Sequence, residues 1–96
     1  MMSEKELVLN IAVNLGRIAR FASEGRLSRV EQFLSETKEY IHQLETGAIN
    51  PHFQKTFDDF KKTFDELEKN KRLDVFWAET AYTWANILTH RAKLAS

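Results

Sequence analysis

Three histidines and one Glu-x-x-His stretch are the residues of this 96-residue chain whose types and spacing could do chemistry. His42, His52 and His90 could together hold a divalent metal ion, since three imidazoles make a common ligand set. His52, however, stands at a helix start, and we read all three as solvated. Glu39-Tyr40-Ile41-His42 has the spacing with which helical bundles hold paired iron or manganese ions. Such a site needs two copies of that motif and a glutamate from each of two further helices. One copy exists, and its Glu39 and His42 flank an apolar stripe rather than lie in it.

Glu79, Asn86 and His90 align on one edge of the last helix, which reads as its solvent-facing side. No nucleophile or oxyanion site accompanies them to make a general acid–base set. His90-Arg91-Ala92-Lys93 places its histidine near a helix end, whereas a phosphate-accepting histidine belongs mid-helix. The chain has no cysteine, which excludes disulfides, thiolate metal sites and cysteine nucleophiles. The sequence therefore offers no catalytic residue, no metal-ligand set and no cofactor site, and we expect a protein that is not an enzyme.

The elements that carry these residues are legible from punctuation and period. The chain holds three glycines and one proline. Hydrophobic periodicity and cap signals predict helices over about residues 3–24, 28–46, 51–69 and 74–94. Ser3 with Glu6, and Ser28 with Glu31, have capping-box spacing. Gly25 and Gly47 suit helix ends, Gly47 as a left-handed residue after the second helix. Asn50 and Pro51 suit the start of the third. Phe53, Phe57, Phe60, Phe64 and Leu67 follow a 4-3-4-3 spacing, the seam of a coiled-coil-like core helix. Asp74 is the expected cap of the fourth. Helices of this length joined by short loops pack as antiparallel neighbours, so the expected fold is all-α: one domain, an antiparallel up-down-up-down four-helix bundle.

Helices one and four carry more apolar surface than one core face needs. On helix four, Val75, Ala78, Tyr82, Ala85 and Ala92 form one face. Trp77, Ala81, Trp84 and Leu88 form a second, turned by about a quarter of the circumference at 100° per residue. On helix one, Leu9 and Val13 fall outside the main stripe, and Gly16 with Ala12 permits close approach of a neighbour. Tryptophan favours contact centres. The expected interaction surface is therefore Leu9, Val13, Trp77, Ala81, Trp84 and Leu88, serving a homodimer or a protein partner.

The first and third loops should share one end of the bundle. That end gathers Arg17, Arg20, Arg26, Arg29, Lys71 and Arg72, a candidate anion-binding set. Cations near helix C-termini also complement the helix dipole, and no aromatic residues interleave in sequence to stack bases. Nucleic acid is thus not the expected partner.

The 14 basic and 14 acidic residues balance, which gives no global attraction to nucleic acid or membrane. The amino-terminal stretch, interrupted by Asn10, Asn14 and Arg17, does not read as a secretory signal, and no segment is long and apolar enough to span a bilayer. A cytoplasmic, non-catalytic interaction or adaptor protein, self-associating through helices one and four, is the leading expectation. Fold and size alone also suit a bacteriocin-immunity or antitoxin-like protein that neutralises a toxin. An anion or nucleic-acid binder using the basic end is the further alternative.

Overall fold

The computed structural model describes residues 2–95 as four α-helices closed by a short 3₁₀ turn. The helices are α1 (Glu4–Ser23), α2 (Leu27–Glu45), α3 (Pro51–Lys69) and α4 (Val75–Arg91), followed by the 3₁₀ turn Ala92–Ala95. They form the antiparallel bundle expected from the sequence.

Each start has a local cause. Ser3 Oγ accepts from the Glu6 N–H and Glu6 Oε1 from the Ser3 N–H, both at 3.1 Å, so the capping box forms as its spacing predicts. Asn50 Oδ1 accepts from the His52 N–H at 2.9 Å, ahead of Pro51 in the first turn of α3. Asp74 Oδ1 accepts from the Trp77 N–H at 2.8 Å and caps α4.

Two expected caps are corrected. The second helix begins at Leu27, so Ser28 lies inside it and the cap position falls to Arg26, which makes no side-chain capping bond. The reason is the preceding turn. Gly25 is left-handed at φ 68°, the Gly25 N–H bonds to the Ala22 carbonyl at 3.0 Å, and the Arg26 N–H bonds to the Phe21 carbonyl at 2.9 Å. This paired closure reverses the chain at once and starts α2 a residue early. At the other end of α2, Gly47 is not left-handed; Thr46 caps in a right-handed conformation and the Gly47 N–H bonds to the Leu44 carbonyl.

Leu73 takes the left-handed position before α4, at φ 56°. That conformation costs a non-glycine residue about 1–2 kcal/mol. It lets the leucine side chain pack against the core just ahead of the Asp74 cap.

Packing follows side-chain size. Small residues on α1 and α4, among them Ala12, Ala19, Ala81 and Ala85, let those backbones approach closely, and α2 packs closely against α1 on its other side. α3 stands farther off because Phe53, Phe57, Phe60 and Phe64, all buried, fill the space between it and the rest. The last residues of the expected fourth helix tighten into the 3₁₀ turn. There Ala92 and Ala95 are buried and the turn packs against α1 and α3. Among the described residues no helix is long and apolar enough to cross a membrane.

Candidate interaction surface

The orientation of α4 decides which expected surface residues reach solvent. Its buried residues are Trp77, Ala78, Ala81, Ala85 and Leu88. At 100° per residue these span a sector lying between the two apolar faces read from the sequence, taking members of each. The expected surface is corrected accordingly. Trp77 is 5% exposed, Ala81 and Leu88 are fully enclosed, and Trp84 is half-buried. Trp77 Nε1–H donates to the Leu67 carbonyl at 3.2 Å, and the Trp84 ring packs on Phe60 with centroids 5.6 Å apart. These four residues fasten α4 to α3 and the core; they do not form an outward face.

Leu9 and Val13 do reach solvent, Val13 with 53% of its surface. On α4 the exposed apolar residues are Val75, Phe76 and Tyr82, of which Val75 is 75% and Tyr82 58% exposed. Val75 and Tyr82 border an open groove of about 670 Å³ between α1 and α4. Gly16, Ala19, Arg20 and Ser23 form its α1 bank, with Ala78 and Glu79 opposite. Leu9 and Val13 continue the Gly16–Arg20 stripe at 4-3-4 spacing, which carries the apolar bank two turns farther along α1. Phe76 faces the α3 side of α4, in the cleft with Thr63 and Glu66 of α3, and Glu79 stands between it and the seam groove. An exposed apolar stretch thus follows the α1/α4 seam, with Val75 and Tyr82 on the groove and its floor of small residues and Leu9 and Val13 beyond it; Leu27, Phe76 and Leu94 are exposed elsewhere. The sequence spacing of Val75, Ala78 and Tyr82 already marked a face; what it lacked was the direction of the core.

The six candidate anion-binding cations are all exposed at one end of the bundle, as the topology requires. Lys71 pairs with Glu31 at 3.7 Å, which joins the third loop to the start of α2, and Arg26 pairs with Glu24 at 3.6 Å. Arg29 Nη1 donates to Gln32 Oε1 at 3.3 Å. Aromatic rings do interleave here, contrary to the sequence expectation. Phe21 and Phe33 stack with centroids 5.8 Å apart and planes 9° from parallel. The Arg20 and Arg26 guanidinium carbons lie 4.7 and 5.4 Å from the Phe21 centroid, and that of Arg17 lies 5.4 Å from Phe33. The rings belong to different helices, so linear sequence could not show the stack. Arg72 borders a separate cleft of about 340 Å³ between α3 and α4, with Glu66, Lys69 and Asp74.

A polar cluster crosses the α1/α2 contact. Asn14 is buried, and its Nδ2 donates to Glu36 Oε1 at 3.4 Å while its Oδ1 accepts from Arg17 at the same distance. Tyr40 Oη–H donates to the same Glu36 oxygen at 3.3 Å. Burial, and then the Glu36 carboxylate beside it, push the Tyr40 phenol above its ordinary pKa. At the α1 terminus the Ser3 hydrogen bonds hold the Glu6 carboxyl below its ordinary value.

Glu39, His42, Glu79, Asn86 and His90 are exposed. Among the described residues no three His, Asp or Glu side chains gather closely enough to hold a metal ion, so the three histidines do not converge. No protein-family model, curated protein or solved structure matches the chain.

Proposed function

We propose that this protein is a non-catalytic interaction module that docks a protein partner along the α1/α4 seam. One observation carries the reading: Val75 and Tyr82 are exposed on one groove floored by Gly16, Ala19 and Ala78, and the exposed Leu9 and Val13 prolong its α1 stripe beyond the groove. Apolar residues scattered singly over a surface need no explanation. A run of them in and beside one groove is the usual mark of a contact site. A helix laid in such a groove would cover them, with the small floor residues admitting its side chains.

Site-specific photocrosslinking in cells tests this. A benzoylphenylalanine at Val13 or Tyr82 should give covalent protein adducts, whereas the same group at Asp58 on α3 or Glu39 on α2 should not. Equal yields at all four positions, or none at Val13 and Tyr82, would overturn the proposal.

A second reading has its own observation. Arg17, Arg20 and Arg26 rest on aromatic rings; Arg17 also bonds Asn14 and Arg26 pairs with Glu24, while Arg20 keeps its guanidinium N–H edge for a phosphate oxygen. An anion site there requires retention on immobilised phosphate polymer that weakens with salt and is lost in Arg20→Ala/Arg26→Ala; absence of retention at low salt removes it.

A further inference from the structure

We infer that the occupant of the seam is a second copy of this chain, related by a two-fold axis running along the seam parallel to α1 and α4. The inference rests on the docking surface proposed above and names its partner.

The two banks are antiparallel. Residues 16–23 of α1 and 75–82 of α4 line the same groove over equal lengths; pairing Gly16 with Tyr82 and Ser23 with Val75 then puts Arg20 within one residue, about 1.5 Å along the axis, of the level of Glu79. Rotation about an axis along the seam keeps every residue at its level and exchanges the banks. It sets α1 of one copy against α4 of the other, in the antiparallel sense that helices joined in bundles prefer.

Charge complementarity favours this arrangement. Arg20 and Glu79 are exposed on opposite banks, and neither forms an ion pair among the described residues; the Arg20 guanidinium rests on the Phe21 ring and would swing from it to meet a carboxylate across the seam. The rotation brings each copy's Arg20 opposite the other copy's Glu79, giving two reciprocal pairs. The remaining carboxylate of the groove, Asp74, is committed to the Trp77 N–H. An axis across the seam would instead oppose α1 to α1 and never bring these two charges together.

Shape agrees with charge. Gly16 lines the groove with open space where a Cβ would stand, and the exposed Tyr82 ring borders the same groove. The rotation sets each copy's Tyr82 opposite the other copy's Gly16, where no side chain stands in its way. A formal net charge of zero adds no long-range repulsion between copies.

Sedimentation equilibrium of the full chain tests the inference through a charge exchange. Wild type should form dimers. Arg20→Glu and Glu79→Arg each make both cross-pairs repulsive and should weaken dimerisation by about tenfold or more. An equimolar mixture of the two variants restores both attractive pairs and should dimerise nearly as well as wild type. That recovery cannot come from a pair within one chain, and circular dichroism of each variant checks its fold. A monomeric wild type, single variants that dimerise normally, or a mixture without recovery would overturn the inference. The two levels separate cleanly. Crosslinks at Val13 and Tyr82 whose mass is not twice that of the chain would leave the seam standing and remove the second copy. A sedimenting dimer with no crosslinks there would remove both.

Discussion

Trp77 Nε1–H donates to the Leu67 carbonyl oxygen at 3.2 Å, in a buried setting. That bond joins the first turn of α4 to the last turn of α3 and satisfies a carbonyl that the end of α3 leaves without an intrahelical partner. It also fixes the rotation of α4 about its own axis: with the indole turned inward, Val75 and Tyr82 must face the α1 side and solvent. Trp77→Phe keeps most of the apolar volume and removes the donor. We expect a loss of about 1–3 kcal/mol in urea unfolding, the usual cost of leaving a buried polar group unpaired. An unchanged midpoint and slope would show that the bond does not hold α4.

Trp84 gives the complementary prediction. It packs on Phe60 at the edge of the core, so Trp84→Glu buries a charge against aromatic carbon and should destabilise the monomer by roughly 2–4 kcal/mol. Thermal denaturation at low concentration reads this directly. A variant as stable as wild type yet defective in association would return Trp84 to the contact surface.

Gly16 lies inside α1 with open space where a Cβ would go. Gly16→Ala should therefore raise the stability of the dilute monomer by about 0.5–1 kcal/mol, the helix-propensity gain with no steric cost. Chemical denaturation at low micromolar concentration measures it. Destabilisation would mean that α4 already approaches α1 at this position more closely than described.

Tyr40 ties stability to alkaline pH. Its folded-state pKa lies above the unfolded value, first because burial disfavours the phenolate and then because Glu36 carries like charge. The stabilisation is complete below the unfolded tyrosine pKa and is lost as pH rises through the raised folded value. Ultraviolet titration should show one tyrosine ionising above the ordinary range, and Tyr40→Phe should abolish that step and flatten the alkaline fall in stability. Persistence of the step in Tyr40→Phe would assign it elsewhere.

Much of the fold was legible because its signals are local. Ser3 with Glu6, Asn50 with Pro51, and the 4-3-4-3 phenylalanines of α3 each depend on a few neighbouring residues, and each forms as its spacing implies. The start of α2 was misread because the Gly25 turn, not the Ser28 hydroxyl, sets where the helix begins. The surface was harder. α4 is apolar around most of its circumference, so periodicity offers two faces and cannot say which one the other helices cover. The buried sector takes Ala78 and Ala85 from one and Trp77, Ala81 and Leu88 from the other, because α1 and α3 press from different sides. Leu9 and Val13 were readable as surplus because α1 has one clear buried stripe to measure them against. The arginine–phenylalanine stack depends on α1 meeting α2, which no local spacing encodes.

The central claim is that the α1/α4 seam is covered when the protein is at work. Hydroxyl-radical footprinting tests it most directly, by comparing oxidation of Val13, Val75 and Tyr82 in the dilute purified chain with their oxidation in cells. Phe76, as exposed as Val75 but on the α3 side of α4, serves as the internal reference. We predict that Val13, Val75 and Tyr82 become protected in cells while Phe76 stays reactive. Equal reactivity of the three seam residues in both settings, or protection confined to Phe76, would contradict the account.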